Sequence, residues 1–440
     1  MITPRQGKVW VVSADMGFGH RRAVNPFRDI AREGIIVAGL NESTPPTERR
    51  LWDRLLRAYE ALSRARSLPV IGRPLFGILD TFLRIPSFYP MRNLSESTFQ
   101  VSLLESLLRQ GMCAGIMEKL REEQLPLLTS FFAPAIAADK AGYETVYCII
   151  CDADLNRVWV AREPWESRVN YFVPCGKAAQ RLKAYGVPDE RIHLTGFPIP
   201  SRLLGGRDLS RLKSDLGQRL WYLDPTGKFH QRHGASVGHF LGEEQTEFAS
   251  DRVLTITYTV GGAGAQKEIG AALARSLAKR IRAGTVRLNL VAGKKPAVRD
   301  YFLDVKNSID HASPFLNVFY AESVEGVFDQ FDALLHTTDI LWTKPSELSF
   351  YSALGMPIVM TPAIGSQEQF NQRWLLEVGA GIRQENPLYA DQWLFDMIHK
   401  GRLADAAWSG FLKVRKLGTY NILDFLETKT MPPESSAVFR

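Results

Sequence analysis

Two glycine turns in the sequence carry residues that could bind an anion or move a proton. The first is Gly17-Phe18-Gly19-His20, which follows the apolar run 8–13 and precedes a predicted helix. Glycines after a strand let the backbone approach a ligand, and the N-terminus of the following helix favours an anion. His20 stands at the end of the strand, where an imidazole can act as a base near neutral pH. A histidine that only caps the helix is the alternative interpretation.

The second turn is Gly261-Gly262-Ala263-Gly264-Ala265-Gln266, between a predicted strand at 252–258 and a predicted helix at 265–282. The backbone N–H groups of such a loop can cradle a diphosphate. No Gly-Lys-Ser/Thr follows, so this is not a Walker loop, and the glycine spacing does not fit a dinucleotide fingerprint. A tight strand-to-helix turn without a ligand is the alternative.

Two further polar segments follow predicted strands, where ligands bind in open α/β sheets. The segment Thr343-Lys344-Pro345-Ser346-Glu347 offers a cation, a hydroxyl and a carboxylate. Gln367 and Asn371 are four residues apart, so on a helix they share one face and could hydrogen-bond sugar hydroxyls. The alternatives are a simple helix N-cap at Ser346 and solvated amide side chains.

Composition narrows the classes of function. The chain has 440 residues, of which 45% are apolar and 23% charged, as expected for a globular protein with more than one domain. No apolar run reaches the roughly 18 residues that cross a membrane. The net charge of +7 suits nucleotides or anionic lipids as partners, whereas no nucleic-acid-binding signature is present.

Cysteine and histidine usage predicts no metal site. Four cysteines in a chain of this length do not form a disulfide framework, and Cys148-x-x-Cys151 lies in an apolar strand-like run. His230, His233 and His239 have no acidic partners at a recognised ligand spacing. These features together favour a cytoplasmic location.

The order of predicted elements indicates the fold class. Strand, glycine turn and helix recur, and the series starts a second time near residue 252. Strands that alternate with helices form parallel sheets, so we predict an α/β protein with two Rossmann-like, doubly wound domains that face a cleft. The predicted strands are 8–13, 35–40, 125–132, 145–150 and 170–173 in the first half, and 252–258, 286–291, 316–319, 340–343 and 358–361 in the second.

These motifs, in this order, resemble the GT-B-fold glycosyltransferases, above all the family of monogalactosyldiacylglycerol synthases, processive diacylglycerol glucosyltransferases and MurG. The resemblance runs from about residue 8 to 382. Its parts are Ser13-x-x-x-Gly17-x-Gly19-His20-x-x-Ala23, Cys151-Asp152-x-Asp154 with Trp159, Asn170-Tyr171-Phe172-Val173-Pro174, Leu194-Thr195-Gly196-Phe197-Pro198-Ile199, the loop at Gly261, Lys344-Pro345, Gln367-Glu368-x-x-Asn371 and Gly379-Ala380-Gly381.

The resemblance implies an inverting transfer of sugar from a nucleoside diphosphate sugar, with UDP-sugar as the expected donor, to an acceptor hydroxyl, without a metal or other cofactor. His20 would be the base, with Asp152 or Asp154 as alternatives, and a lipid is one candidate acceptor. The residues implied to bind the donor are those of the glycine turns and polar segments: Gly17, Gly19, Gly261, Gly262, Gly264, Ala265, Gln266, Lys344, Pro345, Ser346, Glu347, Gln367 and Asn371.

On this basis we expect three segments. Residues 1–205 form an acceptor-side domain, 206–415 a donor domain, and 416–440 a helix and tail that could pack back on the first domain. Within them, 51–90 is a basic amphipathic excursion that could lie on an anionic membrane surface or pack as a flap. Residues 224–242, rich in glycine and histidine, are predicted to form a mobile loop or insertion.

The sequence departs from the family pattern at the predicted donor site. Ser346-Glu347 replaces two glycines, and Ser352 stands where an acidic residue that contacts ribose is expected, a contact that Glu347 could take over. Two other functions therefore stay open. One is an NDP-sugar 2-epimerase, and the other is a protein that binds a nucleotide sugar without turning it over.

Overall fold

The computed structural model describes residues 8–42, 44–65, 85–242, 252–262, 264–434, 436 and 438–440. The chain divides into two compact units. The first contains the described parts of Met1–Ile199 together with Ile364–Asn371 and Leu417–Glu434. The second contains the described parts of Pro200–Ala363, Gln372–Lys416 and Ser435–Arg440.

The first unit is built on a six-stranded parallel sheet of order β2-β1-β3-β4-β5-β6. All six residues of its first strand are buried, as expected when helices cover both faces of a parallel sheet. The strands are β1 (Val9–Ala14), β2 (Ala31–Ala38), β3 (Leu127–Thr129), β4 (Val146–Ile149), β5 (Val169–Val173) and β6 (Ile192–Leu194).

Helices connect these strands. They are α1 (Phe18–Val24), α2 (Pro46–Ala65), α3 (Phe99–Arg109), α4 (Ala114–Glu122), α5 (Phe132–Lys140) and α6 (Gly176–Ala184), with 3₁₀ turns at Asn25–Ile30, Arg157–Trp159 and Asp189–Arg191. Part of the predicted amphipathic excursion, 66–84, lies outside the described residues. No helix in the described part of the chain is long and apolar enough to cross a membrane.

The second unit contains a parallel sheet of order β12-β11-β10-β7-β8-β9. The strands are β7 (Leu254–Thr259), β8 (Val286–Val291), β9 (Leu316–Phe319), β10 (Ile340–Thr343), β11 (Ile358–Met360) and β12 (Gly381–Arg383). The helices are α7 (Ser201–Leu204), α8 (Ser210–Leu223), α9 (Lys228–Leu241), α10 (Lys267–Ser276), α11 (Ala278–Arg282), α12 (Pro296–Asp310), α13 (Val324–Leu335), α14 (Ser366–Val378), α15 (Ala390–His399) and α16 (Arg402–Lys413), with 3₁₀ turns at Glu347–Leu354 and Pro387–Tyr389. The residues of α14 up to Asn371 belong to the first unit.

The strand order locates a crevice at the carboxyl edge of each sheet. In the first sheet, successive strands are added on one side of β1 and then, from β3 onward, on the other side. In the second sheet the same change of side occurs between β7 and β10. Adjacent loops diverge at such a switch point, which is where open α/β sheets bind ligands. Both sheets are doubly wound, which confirms the predicted pair of Rossmann-like domains.

The prediction of a mobile loop at 224–242 was wrong. Residues Lys228–Leu241 form helix α9, and the two glycines with positive φ, Gly227 and Gly242, stand just outside its ends. Phe229, Val237 and Leu241 are buried at helical spacing, so apolar packing outweighs the cost of the internal glycines. The predicted helix 265–282 is similarly divided, into α10 and α11.

A last helix, α17 (Gly418–Thr428), belongs to the first unit. The Asn421 side chain donates a 2.8 Å hydrogen bond to the Thr195 carbonyl. The Phe425 ring lies 4.1 Å from the His193 ring and 5.4 Å from Phe172, centroid to centroid. Residues near the end of the sequence thus cover part of the core beside β5 and β6.

Lys416 is a fully buried lysine in the second unit. Its ammonium donates to the carbonyls of Val438 at 2.7 Å and Val414 at 3.1 Å, and lies 4.7 Å from the centre of the Phe411 ring. Burial, followed by the charge of Arg440, lowers the pKa of Lys416 to about 7.

This pKa predicts a pH dependence of stability. The unfolded lysine titrates near about 10.4, so between about pH 7 and that value the unfolded chain binds more protons than the folded one at this site. The free energy of unfolding therefore rises with pH across that window. This contribution is lost as the pH falls through about 7 and the buried lysine takes up a proton. We expect the melting temperature of the wild type to rise relative to that of Lys416→Met between pH 7 and 10. A constant difference would contradict the assignment.

Candidate functional site

The switch point of the first sheet holds His20. Gly17, at φ 107° and ψ 170°, turns the chain from β1 into α1 with a backbone conformation that favours glycine. His20 then lies in α1, with its ring Nδ1 2.7 Å from the carbonyl oxygen of Ser130, the residue that follows β3. The Ser130 hydroxyl donates back to the His20 carbonyl at 2.7 Å. The loops after β1 and β3 are therefore joined by two hydrogen bonds.

The contact between Nδ1 and the Ser130 carbonyl determines the tautomer of the imidazole. A carbonyl oxygen can only accept, so Nδ1 carries the hydrogen, and in the neutral ring the lone pair is then on Nε2. The ring is half-buried, and the aromatic rings of Phe131 and Trp159 lie 5.0 and 6.0 Å away. The Cys151 sulfur is 3.6 Å from Nδ1. His20 is thus oriented with a nitrogen that can accept a proton.

Asp154, one of the predicted bases, has a structural role instead. Its carboxylate is fully buried and accepts two hydrogen bonds from the Arg181 guanidinium, at 2.6 and 2.9 Å. It also accepts from the backbone N–H of Leu155 at 2.9 Å. Breaking such a buried pair typically costs about 3–5 kcal/mol, because one charge is left without its partner. A carboxylate held in this way does not reach a substrate.

Asp152 and Asn371 are brought together, although the sequence assigned them to different tasks. The Asn371 amide donates to Asp152 Oδ1 at 2.7 Å, and its oxygen accepts from the Ala153 N–H at 2.8 Å. Asn371 is fully buried, so the expected contact with a sugar is not supported by its position. Gln367, one turn earlier on α14, is half-buried and remains a predicted sugar contact. Asp152 remains the alternative base.

The switch point of the second sheet brings the glycine turn and Lys344 together. A Cβ placed on Gly261 would lie 2.6 Å from Lys344 Cε and 3.2 Å from its Nζ. A side chain at this position would therefore displace the end of the lysine side chain. The Gly264 N–H closes the turn by donating to the Gly261 carbonyl at 2.7 Å, and Gly264 has a positive φ of 74°. Gly262 lies within this turn, and Ala265 after it is exposed.

Gln266 links the turn to the loop after β11. Its amide nitrogen donates to the Pro362 carbonyl at 2.9 Å, and its amide oxygen accepts from the Thr361 hydroxyl at 2.7 Å. The side chain therefore fixes the loop. Helix α10 begins at the next residue, and the first N–H groups of a helix have no partner within it and carry a partial positive charge.

The segment after Lys344 is largely buried. Pro345 is buried, the Ser346 hydroxyl does not cap the following 3₁₀ helix, and Glu347 is only 7% exposed. Ser352 is fully buried and donates to the Ser349 carbonyl at 2.7 Å, so its position excludes a contact with ribose. The suggested ribose contact of Glu347 remains a prediction.

The arrangement separates two chemical capacities. The first unit offers a base, and the second offers a lysine and backbone N–H groups around a glycine turn that suits a phosphate. A cavity of about 600 Å³ between α8 and α9, lined by Trp221, Asp224 and His230 among others, contains none of the predicted site residues. Within the described residues no group of three or more His, Cys, Asp or Glu side chains is placed to hold a metal ion.

Sequence analysis missed Ser130. Its signal is only its position at the carboxyl end of β3, next to β1 in the sheet, because 110 residues separate it from His20. The order of strands in the sheet is needed before such a pair becomes visible.

Comparison with known proteins supports the predicted resemblance. No protein-family model matches the chain. It is 23% identical over 237 residues to the processive diacylglycerol beta-glucosyltransferase of Bacillus pumilus (strain SAFR-032), covering 53% of this chain and 49% of that protein. It is 23% identical over 398 residues to the enzyme of that name from Bacillus cereus (strain G9842), covering 87% and 84%. The predicted resemblance is confirmed.

The matches differ in how much of each protein they cover. The chain spans about half the length of the Bacillus pumilus relative that it matches. Among solved structures, the UDP-GlcNAc 2-epimerase from Neisseria meningitidis bound to UDP-GlcNAc matches with a TM-score of 0.46 and 12% identity, over 91% of this chain and 97% of that one. A likeness at this level does not favour an epimerase over a transferase.

The contact between Gly261 and Lys344 predicts an effect on nucleotide binding. We expect Gly261→Ala to displace Lys344 and weaken binding of UDP about tenfold, the loss of one charge-assisted hydrogen bond, measured by isothermal titration calorimetry. Gly176→Ala is the matched control, because a Cβ at Gly176 meets no atom within 4 Å. Unchanged UDP affinity in a folded Gly261→Ala protein would show that Lys344 does not contribute to binding at this turn.

Proposed function

We propose that the chain is a glycosyltransferase that moves a sugar from a nucleoside diphosphate sugar to an acceptor hydroxyl, with inversion and without a metal. The observation that carries the proposal is the placement of two predicted motifs at the switch points of two parallel sheets. His20 lies at one, and the Gly261 turn with Lys344 lies at the other. The order of the remaining motifs and the similarity to processive diacylglycerol glucosyltransferases support it.

The proposed diphosphate site is in the second unit. Backbone N–H groups of the turn and of the start of α10, with the Lys344 ammonium, would hold the diphosphate. The same groups meet the negative charge that develops on the leaving nucleoside diphosphate, which is the task that a metal ion performs in other enzymes. Gln367 is the residue proposed to contact the sugar.

His20 is the proposed base. Nε2 accepts the proton of the acceptor hydroxyl while that oxygen forms a bond to the anomeric carbon. The bond from the anomeric carbon to the diphosphate oxygen breaks, and its electron pair leaves with the nucleoside diphosphate. Attack from the face opposite the leaving group inverts the configuration. Nδ1 donates its hydrogen to the Ser130 carbonyl, so in the neutral ring the lone pair that takes the proton is on Nε2.

A membrane lipid is the proposed acceptor class, since the relatives are named for transfer to diacylglycerol. The enzyme would then work in the cytoplasm, at the membrane surface. The net charge of +7 fits binding to an anionic surface.

A transfer assay tests the proposal. Purified protein is incubated with UDP-glucose, and with a panel of other nucleoside diphosphate sugars, in the presence of EDTA and vesicles that contain diacylglycerol and anionic lipid. Products are identified by mass spectrometry. We expect a glycosylated lipid. Conversion of the donor to its 2-epimer would support the epimerase instead, and binding without any product would support a nucleotide-sugar-binding protein.

We expect His20→Asn to lower kcat about 10²–10⁴-fold, the usual contribution of a general base, with donor affinity within twofold of wild type. His311→Asn, at an exposed histidine that follows α12, is the control and should leave kcat unchanged. If Asp152→Asn abolishes transfer and His20→Asn does not, Asp152 is the base and the assignment to His20 is wrong.

A further inference from the structure

A second lysine stands beside the glycine turn of the second unit. Lys295 is the residue before α12, in the loop after β8. A Cβ placed on Gly264 would lie 3.5 Å from Lys295 Cγ and 3.9 Å from its Cβ. In the sheet, β7 lies between β10 and β8, so the turn after β7 is flanked by the loop that carries Lys344 on one side and by the loop that carries Lys295 on the other.

The two lysines mark opposite ends of one short turn. Lys344 lies over Gly261, and Lys295 lies beside Gly264, whose N–H donates to the Gly261 carbonyl at 2.7 Å. Residues 261 and 264 of a hydrogen-bonded turn are at most about 7 Å apart. Two flexible cationic side chains can therefore reach neighbouring anionic groups bound at the turn.

Lys295 has the charge and exposure expected of a ligand-binding residue. Its side chain is exposed, and within the described residues it makes no hydrogen bond or ion pair. Some other lysines do contact a carboxylate, for example Lys140 with Glu105 at 2.6 Å and Lys400 with Asp396 at 2.6 Å. A cation beside an open glycine turn raises the local positive potential and so attracts anions.

We infer that Lys295 is a second phosphate ligand and determines the specificity of the site for nucleoside diphosphate donors over nucleoside monophosphate donors. A diphosphate presents two adjacent anionic groups, one for each lysine, whereas a monophosphate can occupy only one of the two positions. This inference rests on the proposed donor site and adds to it a residue that lies outside the sequence motifs.

Calorimetric titration with UDP and with UMP tests the inference. We expect Lys295→Ala to weaken UDP binding about tenfold, the typical loss for one charge-assisted contact, and UMP binding less than twofold. The salt dependence of UDP binding should also become less steep, because one fewer cation meets the ligand. Lys306→Ala is the matched control. Lys306 lies on α12, roughly 16 Å from Lys295 along the helix axis at 1.5 Å per residue.

The outcomes separate this inference from the proposed function. Wild-type protein that binds UDP, with Lys295→Ala binding it equally well, would overturn the inference and leave the donor site intact. Equal losses for UDP and UMP would also overturn it, because Lys295 would then not discriminate between them. Wild-type protein that binds no nucleoside diphosphate, UDP, GDP or dTDP, would reject the donor site itself and the inference with it.

Discussion

The reversal of strand order within each parallel sheet is the constraint on which the candidate site depends. All strands of a parallel sheet run in one direction, so every loop that follows a strand lies at the same edge. Where winding reverses, two neighbouring loops diverge and leave the ends of their strands accessible. His20 and Ser130 follow the two strands at this point in the first sheet, and the Gly261 turn and Lys344 follow the two strands at this point in the second. Residues distant in sequence become neighbours for that reason alone.

The polar side chains near the two switch points fall into two groups. One group is hydrogen-bonded within the protein, and the other is proposed to contact a ligand. The first group includes Asp154, Asn371 and Gln266. Their hydrogen bonds, to Arg181, to Asp152 and to the Pro362 carbonyl, are 2.6 to 2.9 Å long. Buried polar atoms need such partners, since an unsatisfied one costs about 1–3 kcal/mol. The imidazole of His20 and the side chain of Lys295 are the groups for which we propose contact with a substrate.

Much of the fold follows from local sequence pattern. The predicted strands 286–291, 316–319 and 340–343 coincide with β8, β9 and β10, because short apolar runs bounded by polar residues and turn formers read clearly as buried strands. The prediction for 224–242 was wrong because its glycines suggested a loop. Burial of Phe229, Val237 and Leu241 on one face instead stabilises a helix.

The site was predicted less completely, for a physical reason. The order of the motifs identified His20, the Gly261 turn and Lys344. It does not show which polar side chains form hydrogen bonds within the protein. Asn371 contacts Asp152 across 219 residues of sequence, and Ser130 contacts His20 across 110. Contacts over such separations appear only in the folded chain, so the roles of Asp154 and Asn371 could not be predicted from local sequence pattern.

The most direct test of the central claim is hydrogen–deuterium exchange of the protein with and without saturating UDP. If the glycine turn holds the diphosphate, backbone amides at 261–267 and 344–347 exchange more slowly with UDP, and those at 217–237 around the 600 Å³ cavity do not change. Protection confined to 217–237, with none at the glycine turn, would place the nucleotide elsewhere and rule out the proposed donor site.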